Sequence, residues 1–584
     1  MLTRRHFLAA TAALGAHPAA AQSTPASRPN VIVILSDDQG YGDIGALGNP
    51  ILKTPYMDKL HRESVRFTDF HSAPMCTPTR GQLMSGVDAL RNKACSVTAG
   101  RAVLRRDLPT MADVFAANGY RTGIFGKWHL GDSYPYRPMD RGFQTAKYHL
   151  GFGMSSAPEF DNDYFNGRYH DNGIEKRFEG YCTDFWFGEA MAWMKQQSAA
   201  REPFFCYLPT NTPHGPNWVA PKYSDPYRRD KLPAEFFGMI ANLDENLGKL
   251  DQFLTQSGLR DNTIVIFMTD NGGTQGVNVY NAAMRGRKTQ LYDGGHRVPC
   301  FLRWPKGNLR PAGDIDYPAQ MQDLLPTLID LCALKSPAGA RFDGATLAPL
   351  LRGKAGMPDR MMVVQYGQVP KKWESNVIWN QWRLVNGTEL YNFRANVAED
   401  RDLAAANPGV VARMRAHYEK WWAAVEPGVR QPEPVAAIGS KQEPVSMLCS
   451  SDWWEIYADN PGHVSNAVGG PQGAPWFIAV EQPGEYQVEL SRWAFNLALP
   501  LTAAREPQKL TYGSLPPGKG MPIAGAKLKA GTAAERSAKA APGDRSVTFR
   551  VKLDQAARIP LHAWFTGANG EDVCGAFYAR IRRV

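Results

Sequence analysis

The chain has 584 residues, 43% of them from the apolar and aromatic set and 21% charged, an ordinary globular balance. These values exclude a mainly disordered, collagen-like or coiled-coil protein and leave length for several domains. The net charge of +10 is spread without a long Lys/Arg run, which argues against nucleic acid as a partner.

Residues 1–21 read as an export peptide. Thr3-Arg4-Arg5-His6-Phe7-Leu8 precedes a weakly apolar, Ala-rich stretch to Ala16, and Pro18-Ala19-Ala20-Ala21 closes it before Gln22. The arginine pair with Phe7-Leu8 looks like a twin-arginine signal, which implies the Tat export machinery as a partner and a periplasmic or secreted product. The stretch is too short to anchor the chain, and no later run is long and apolar enough to span a bilayer, so no membrane anchor is expected.

Four short apolar runs then follow the same plan: a buried-strand pattern ending at once in polar residues with chemical potential. Val31–Leu35 precedes Ser36-Asp37-Asp38, and Tyr120–Phe125 precedes Gly126-Lys127-Trp128-His129. Phe204–Leu208 precedes Asn211-Thr212-Pro213-His214, and Ile264–Met268 precedes Thr269-Asp270-Asn271-Gly272-Gly273. Between them lie helical patterns, the clearest running from Phe236 through Ile240, Leu243, Leu247 and Leu250 to Leu254, with Gly258 as its stop. Strands alternating with helices predict an α/β domain with a large, mostly parallel sheet, whose ligands sit beyond the carboxyl ends of the strands. Tyr148 to Tyr181, rich in aromatics, Asp, Asn and Gly, reads as a long loop near that site.

From about residue 360 the pattern shifts to short strands and a helix ending near Trp421-Trp422, a small antiparallel sheet with its cover. Residues 426–444 read as a linker, and period-2 stretches such as Tyr486–Leu490 and Val547–Val551 predict an all-β sandwich, with a long loop over 512–545. The expected units are therefore an α/β domain at 28–355, an antiparallel subdomain at 356–425, the linker at 426–444 and a C-terminal sandwich at 445–584. The eight cysteines, at 76, 95, 182, 206, 300, 332, 449 and 574, are too scattered for a disulfide framework, and Cys206 and Cys300 sit in apolar runs as small buried thiols. Trp453, Trp454, Trp476, Trp493 and Trp564 read as sandwich core.

Met75-Cys76-Thr77-Pro78-Thr79-Arg80 contains C-x-P-x-R. Pro78 suits the first turn of a helix continuing through Gly81–Met84, which sets Cys76 beside free backbone N–H groups, with Arg80 offering a fork of donors to the same anion. Asp37, Asp38, Asp270 and Asn271 offer only hard oxygens, a set suited to Ca²⁺ or Mg²⁺ and not to Zn²⁺. Lys127 and His129, two apart, face one side of an extended segment while Trp128 packs on the other.

Together these blocks resemble the type I sulfatases, the arylsulfatase family of the alkaline phosphatase superfamily, over roughly residues 28–425. The resemblance rests on Pro29-Asn30 through Gly40, on Cys76–Arg80 with Gly86, on Gly126–Gly131, on Thr212-Pro213-His214, on Thr269–Gly273, and on Gly286-Arg287-Lys288 with Asp293–Pro299. It implies that a maturation enzyme converts Cys76 to formylglycine, whose hydrated gem-diol is the nucleophile and passes through a covalent sulfo-enzyme hemiester. It further implies a metal, usually Ca²⁺, held by Asp37, Asp38, Asp270, Asn271 and the residue at 76. By the same resemblance Arg80 and Lys127 help to hold the site and the sulfate, His129 removes a proton from the gem-diol, and His214 and Lys288 bind sulfate and assist the leaving oxygen. Thr79 stands where Ser is usual, Asp293 replaces Glu and His296 an apolar residue, so the support of Lys288 is expected to differ. The implied activity is hydrolysis of an organic sulfate monoester, aryl or saccharide. A phosphonate monoester or phosphodiester hydrolase of the same superfamily and a non-catalytic carbohydrate-binding protein stay open as alternatives.

Overall fold

The computed structural model describes residues 28–584 apart from 230, 355, 431 and 433, and the expected export peptide at 1–21 lies outside the described residues. The four apolar runs become β1 (Asn30–Ser36), β2 (Arg121–Lys127), β3 (Phe204–Pro209) and β4 (Thr263–Thr269). They lie side by side and parallel in the order β4, β1, β3, β2 at the centre of a ten-stranded sheet. Each run is apolar at successive positions because helices cover both faces. Val31, Val33 and Leu35 enter one core with Met111, Phe115 and Leu324, while Ile32 and Ile34 enter a second with Trp186, Phe236 and Leu243. The helix Ala234–Gln256 carries that second face, and Gly258, at φ 70°, follows its end as expected.

Toward its edges the sheet turns antiparallel. Cys300–Arg303 runs against β4, and the hairpin Arg168–Asp171/Ile174–Arg177 extends the other edge beyond Thr145–His149. That hairpin corrects the long loop expected between Tyr148 and Tyr181. Its outer strand is exposed throughout and mostly charged, so it carries no apolar alternation to read.

Met361–Gln365, Ser375–Trp379, Trp382–Val385 and Glu389–Asn392 form a four-stranded antiparallel sheet, packed by the helix Pro408–Val429 through Met414, Tyr418 and Trp422. The linker expected at 426–444 is corrected at both ends. The helix continues to Val429, and Ala436–Ile438 is a strand parallel to Trp476–Val480, too short to show a period. The loop expected at 512–545 likewise contains Gly525–Ala530 and Arg536–Lys539, which pair with each other; the former also pairs with Arg558–Thr566. Their Ala, Gly and Lys content hides strands whose order comes from their partners. The C-terminal region holds a six-stranded and a four-stranded sheet over one core, in which Trp453, Trp476 and Trp493 are fully buried. No helix of the described residues is long and apolar enough to cross a membrane, and all eight cysteines are buried and unpaired.

Candidate active site

The register that pairs Ser36 with Thr269 makes Asp37 and Asp270 leave adjacent strands at one level. Asp270 N donates to Ser36 O at 3.1 Å and Asp37 N to Thr212 O at 3.0 Å, so the loops after β1, β3 and β4 are bonded to one another. Asp38 and His129 have φ of 67° and 58°. Residues with a Cβ hold that conformation only where their surroundings impose it, at about 1–3 kcal/mol each.

Cys76 opens the helix α1 (Cys76–Ser85) and is 2% exposed. Its Sγ lies 3.4 Å from Asp37 Oδ1 and 3.5 Å from Lys288 Nζ. Burial, then the charges of Asp270 and Asp37, push this thiol far above its ordinary range. An unmodified Cys76 is therefore a neutral thiol and a poor nucleophile. The Thr79 hydroxyl keeps the role open to Ser: it accepts from Ala73 N at 3.0 Å and donates to Ala73 O at 3.1 Å, clamping the loop before α1.

Three buried carboxylates face three cations. Lys127 Nζ is 2.6 Å from Asp37 Oδ2, Lys288 Nζ 2.5 Å from Asp38 Oδ1, and Arg80 Nη2 2.8 Å from Asp270 Oδ2 and 3.8 Å from Asp37 Oδ2. Burial alone would raise Asp38, but Lys288 and His214 hold it well below the usual carboxylate range. Asp270 moves the other way: burial and neighbouring Asp37 push it up to about 6 against Arg80. Lys288 stays an ammonium despite burial because Asp38 and the groups around Cys76 favour its charge. Asn271 donates from Nδ2 to Asp38 Oδ1 and to Gly272 O, each at 3.0 Å, and its Oδ1 is buried without a hydrogen-bond partner. Ligand atoms of Asp37, Asp38, Cys76 and His214 lie within 4.8 Å of one another. An orphaned amide oxygen beside three carboxylates is a donor set of hard oxygens, and these residues fit a divalent metal ion.

Burial keeps both imidazoles neutral, among different neighbours. Burial, with Lys127 and Arg80 adding to it, holds His129 well below its ordinary value. Its Nε2 lies 3.4 Å from Val97 O, and its Nδ1 is buried with no partner, an unused lone pair. Burial lowers His214 to about 4 against the pull of Asp38. His214 Nδ1 lies 2.6 Å from Gly215 O and its Nε2 3.9 Å from Asp38 Oδ2. One expectation is corrected here: the extended segment ends at Lys127, so the left-handed turn at His129, and not strand alternation, delivers the imidazole. Trp128 is buried as expected, donating from Nε1 to Tyr136 O at 2.9 Å.

All ten residues singled out in the sequence thus converge at the carboxyl ends of the central strands. Sequence reasoning missed Tyr366, which follows the strand Met361–Gln365, packs with Met75, Cys76 and Val97, and buries a hydroxyl that has no partner. It also missed Tyr457, Asp459 and Asn460, which line the cavity above Cys76 from the C-terminal sheets. None of the four belongs to a motif, and only the aromatic richness of the region pointed toward them.

A family model for sulfatases matches residues 29–333, more than half of the chain. The chain belongs to the sulfatase family. It is similar to an N-acetylgalactosamine-6-sulfatase of Canis lupus familiaris, 28% identical over 393 residues that span 61% of this chain and 74% of that protein. It is also similar to an ulvan-active sulfatase of Formosa agariphila, 30% identical over 371 residues, 59% of this chain and 69% of the other. Among solved structures, Ps i-CgsB in complex with k-i-k-neocarrahexaose superposes with a TM-score of 0.63 at 27% identity, covering 70% of this chain and 94% of its own. This sulfatase is a hydrolase of sulfate esters, and the reading as a non-catalytic binding protein falls away.

Proposed function

We propose that this sulfatase releases inorganic sulfate from a carbohydrate sulfate monoester, with Cys76 converted to formylglycine as its nucleophile and Ca²⁺ held by Asp37, Asp38, Asp270, Asn271 and the residue at 76. The observation that carries this reading is the place of Cys76: the first residue of a helix, its Sγ 3.4 Å from Asp37 and 3.5 Å from Lys288. A formylglycine there would supply a hydrated aldehyde, with one hydroxyl to serve as nucleophile at sulfur and a second whose deprotonation would release sulfate. A divalent ion supplies positive charge for the sulfate oxygens and lowers the pKa of that hydroxyl.

The chain's own groups divide the remaining work. Arg80 ties Asp37 to Asp270 and fixes the carboxylates. Lys127 and Lys288 offset charge on the sulfate, and Lys288 donates a proton to the departing oxygen. His129, with its free Nδ1, takes the proton from the second hydroxyl. His214 orients the sulfate from the side of Asp38. The saccharide class is supported by the names of the relatives, which act on or bind sulfated sugars. The twin-arginine pattern at residues 1–21 supports export to the periplasm or beyond.

The test is mass spectrometry of the peptide spanning residue 76, from protein made with a formylglycine-generating enzyme, followed by sulfate release from an aryl sulfate, its matched phosphate ester and sulfated saccharides. The reading expects an aldehyde at 76, preference for sulfate over phosphate, and loss of turnover in Cys76→Ala. An unmodified thiol in active protein, or an active alanine variant, overturns it.

A further inference from the structure

We propose that the C-terminal region selects the departing half of the substrate, and that this half is an uncharged, hydroxyl-bearing sugar ring, the substrate's single sulfate being the one that is cleaved. The inference rests on the sulfatase reading and adds the chemistry of the leaving group.

A cavity of about 490 Å³ opens above Cys76, with His129, His214 and Lys288 at its base. That size lies within the range of about 300–1,000 Å³ typical of small-ligand sites. Phe152 and Trp218 give one part of its lining, and Tyr457, Asp459 and Asn460 with Ser514–Pro516, from the C-terminal region, give a second. The second part lies wholly beyond residues 29–333, the span that the sulfatase family model matches. The groups around the sulfate lie within that span, while the rest of the ester meets residues from both inside and beyond it.

The second part is fixed to the first. Ala157 N donates to Asp459 O at 2.6 Å, and Tyr578 Oη donates to Ala157 O at 2.8 Å. Thr511 donates from both N and Oγ1 to Asp163 Oδ2 at 2.9 Å. Leu515 is 3% exposed and packs into the same core as Trp218, and a Cβ at Gly513 would stand 2.1 Å from Trp218 Nε1. A wall held at so many points does not swing away to admit a bulkier ester.

Its charge decides the class. Among the described residues lining the cavity, Lys288 is the single Lys or Arg, and it is engaged with Asp38 at the base. Asp459 is the single carboxylate; it is 3% exposed, with Oδ1 3.2 Å from Asn460 Nδ2 and 3.5 Å from His463 Nδ1. A second sulfate or a uronate on the leaving group would therefore meet a buried carboxylate and no free cation. At an intermediate dielectric, two like charges several ångströms apart lower binding by roughly tenfold or more. A neutral ring finds what it needs: an acceptor at Asp459 and a hydroxyl at Ser514, and flat apolar faces at Phe152 and at Tyr457, which is 46% exposed, while the Asn460 amide is committed to Asp459 and His463.

The experiment uses the matured full-length enzyme with galactose monosulfates, sulfated at O2, O4 or O6, and the corresponding disulfates. The expected result is a kcat/KM at least tenfold higher for the preferred monosulfate than for any disulfate containing it, with that ratio shrinking several-fold in Asp459→Asn. Equal values for mono- and disulfates in the unaltered enzyme, or a ratio that Asp459→Asn leaves in place, overturns the inference. Turnover of an aryl sulfate by the unaltered enzyme separates the outcomes. If it turns over while no monosulfated sugar does, the leaving-group class is wrong; if it too fails, the underlying chemistry is wrong.

Discussion

His71 and His296 meet Nδ1 to Nδ1 at 2.9 Å in the interior, 1% and 0% exposed. One hydrogen arrangement serves the chain of contacts, with Leu291 O, 3.1 Å from His296 Nε2, accepting instead from Asn376 Nδ2 at 2.9 Å. His71 Nε2–H donates to Asp69 Oδ1 at 2.8 Å, a carboxylate that Arg383 and His71 keep ionised despite burial. His71 Nδ1 then accepts from His296 Nδ1–H, and His296 Nε2 accepts from Asn376 Nδ2 at 3.2 Å. Burial keeps both rings uncharged, His296 near 3. This relay joins the strand before Cys76, the helix Asp293–His296 after Lys288, and the antiparallel sheet that carries Asn376. His296→Leu leaves His71 without its donor, and an unsatisfied buried group costs about 1–3 kcal/mol. We expect a loss of that size in denaturant unfolding and a fall in kcat larger than the change in KM, because the link between the strand before Cys76 and the helix after Lys288 is cut. His296→Gln, which can still donate, is expected to recover part of both.

Gly126 sits immediately before Lys127 with φ 133°, and a Cβ there would lie 1.8 Å from Pro209 O on the neighbouring strand β3. No side-chain adjustment relieves a clash with backbone. Gly126→Ala is expected to destabilise the protein by at least about 4 kcal/mol, read as loss of soluble protein or of the cooperative unfolding transition.

The carboxylates Asp37, Asp38 and Asp270 are already balanced by Lys127, Lys288 and Arg80. If a divalent ion works there as proposed, its removal should abolish turnover while this charge balance leaves the fold in place. We expect chelation to lower the thermal midpoint by a few degrees only, with Ca²⁺ restoring both the midpoint and sulfate release.

Asp132 and Asp452 line one small cavity between the turn after β2 and the C-terminal sheets. Burial, with Asp452 and Glu443 adding repulsion, raises Asp132 to about 7, and burial raises Asp452 to about 6. The relief comes from Gly151 N, which donates to Asp132 Oδ2 at 2.7 Å. Because the folded form holds these protons more tightly than the unfolded chain, their stabilising contribution is complete below about pH 4 and is lost as pH rises through about 7. The denaturant midpoint should fall between pH 5 and pH 8, and Asp132→Asn should flatten that slope, with a gain on the order of 1 kcal/mol at pH 8.

The chemistry was more legible in the chain than the architecture around it. Asp37, Lys127, His214 and Asp270 each follow a run of apolar residues buried on two faces, so strand and acid or base read as one unit. Ala436–Ile438 and Arg536–Lys539 offered no such contrast, being strands only by virtue of their partners. Tyr457 and Asp459 were invisible as site residues because nothing local marks a loop that reaches the cavity from hundreds of residues downstream. His129 was found by its motif, yet for the wrong backbone reason.

The depth of Cys76 sets an order of events. At 2% exposure, beneath Lys288 and beside Asp37, its sulfur is open to a small ester and closed to another protein's catalytic groove. Any conversion performed by a second enzyme thus has a deadline: it must finish while this stretch of chain is still loose. On the proposed formylglycine reading, protein that folds first in a host lacking that enzyme stays inactive, and supplying the missing factor to the purified product will not revive it without unfolding and renaturation.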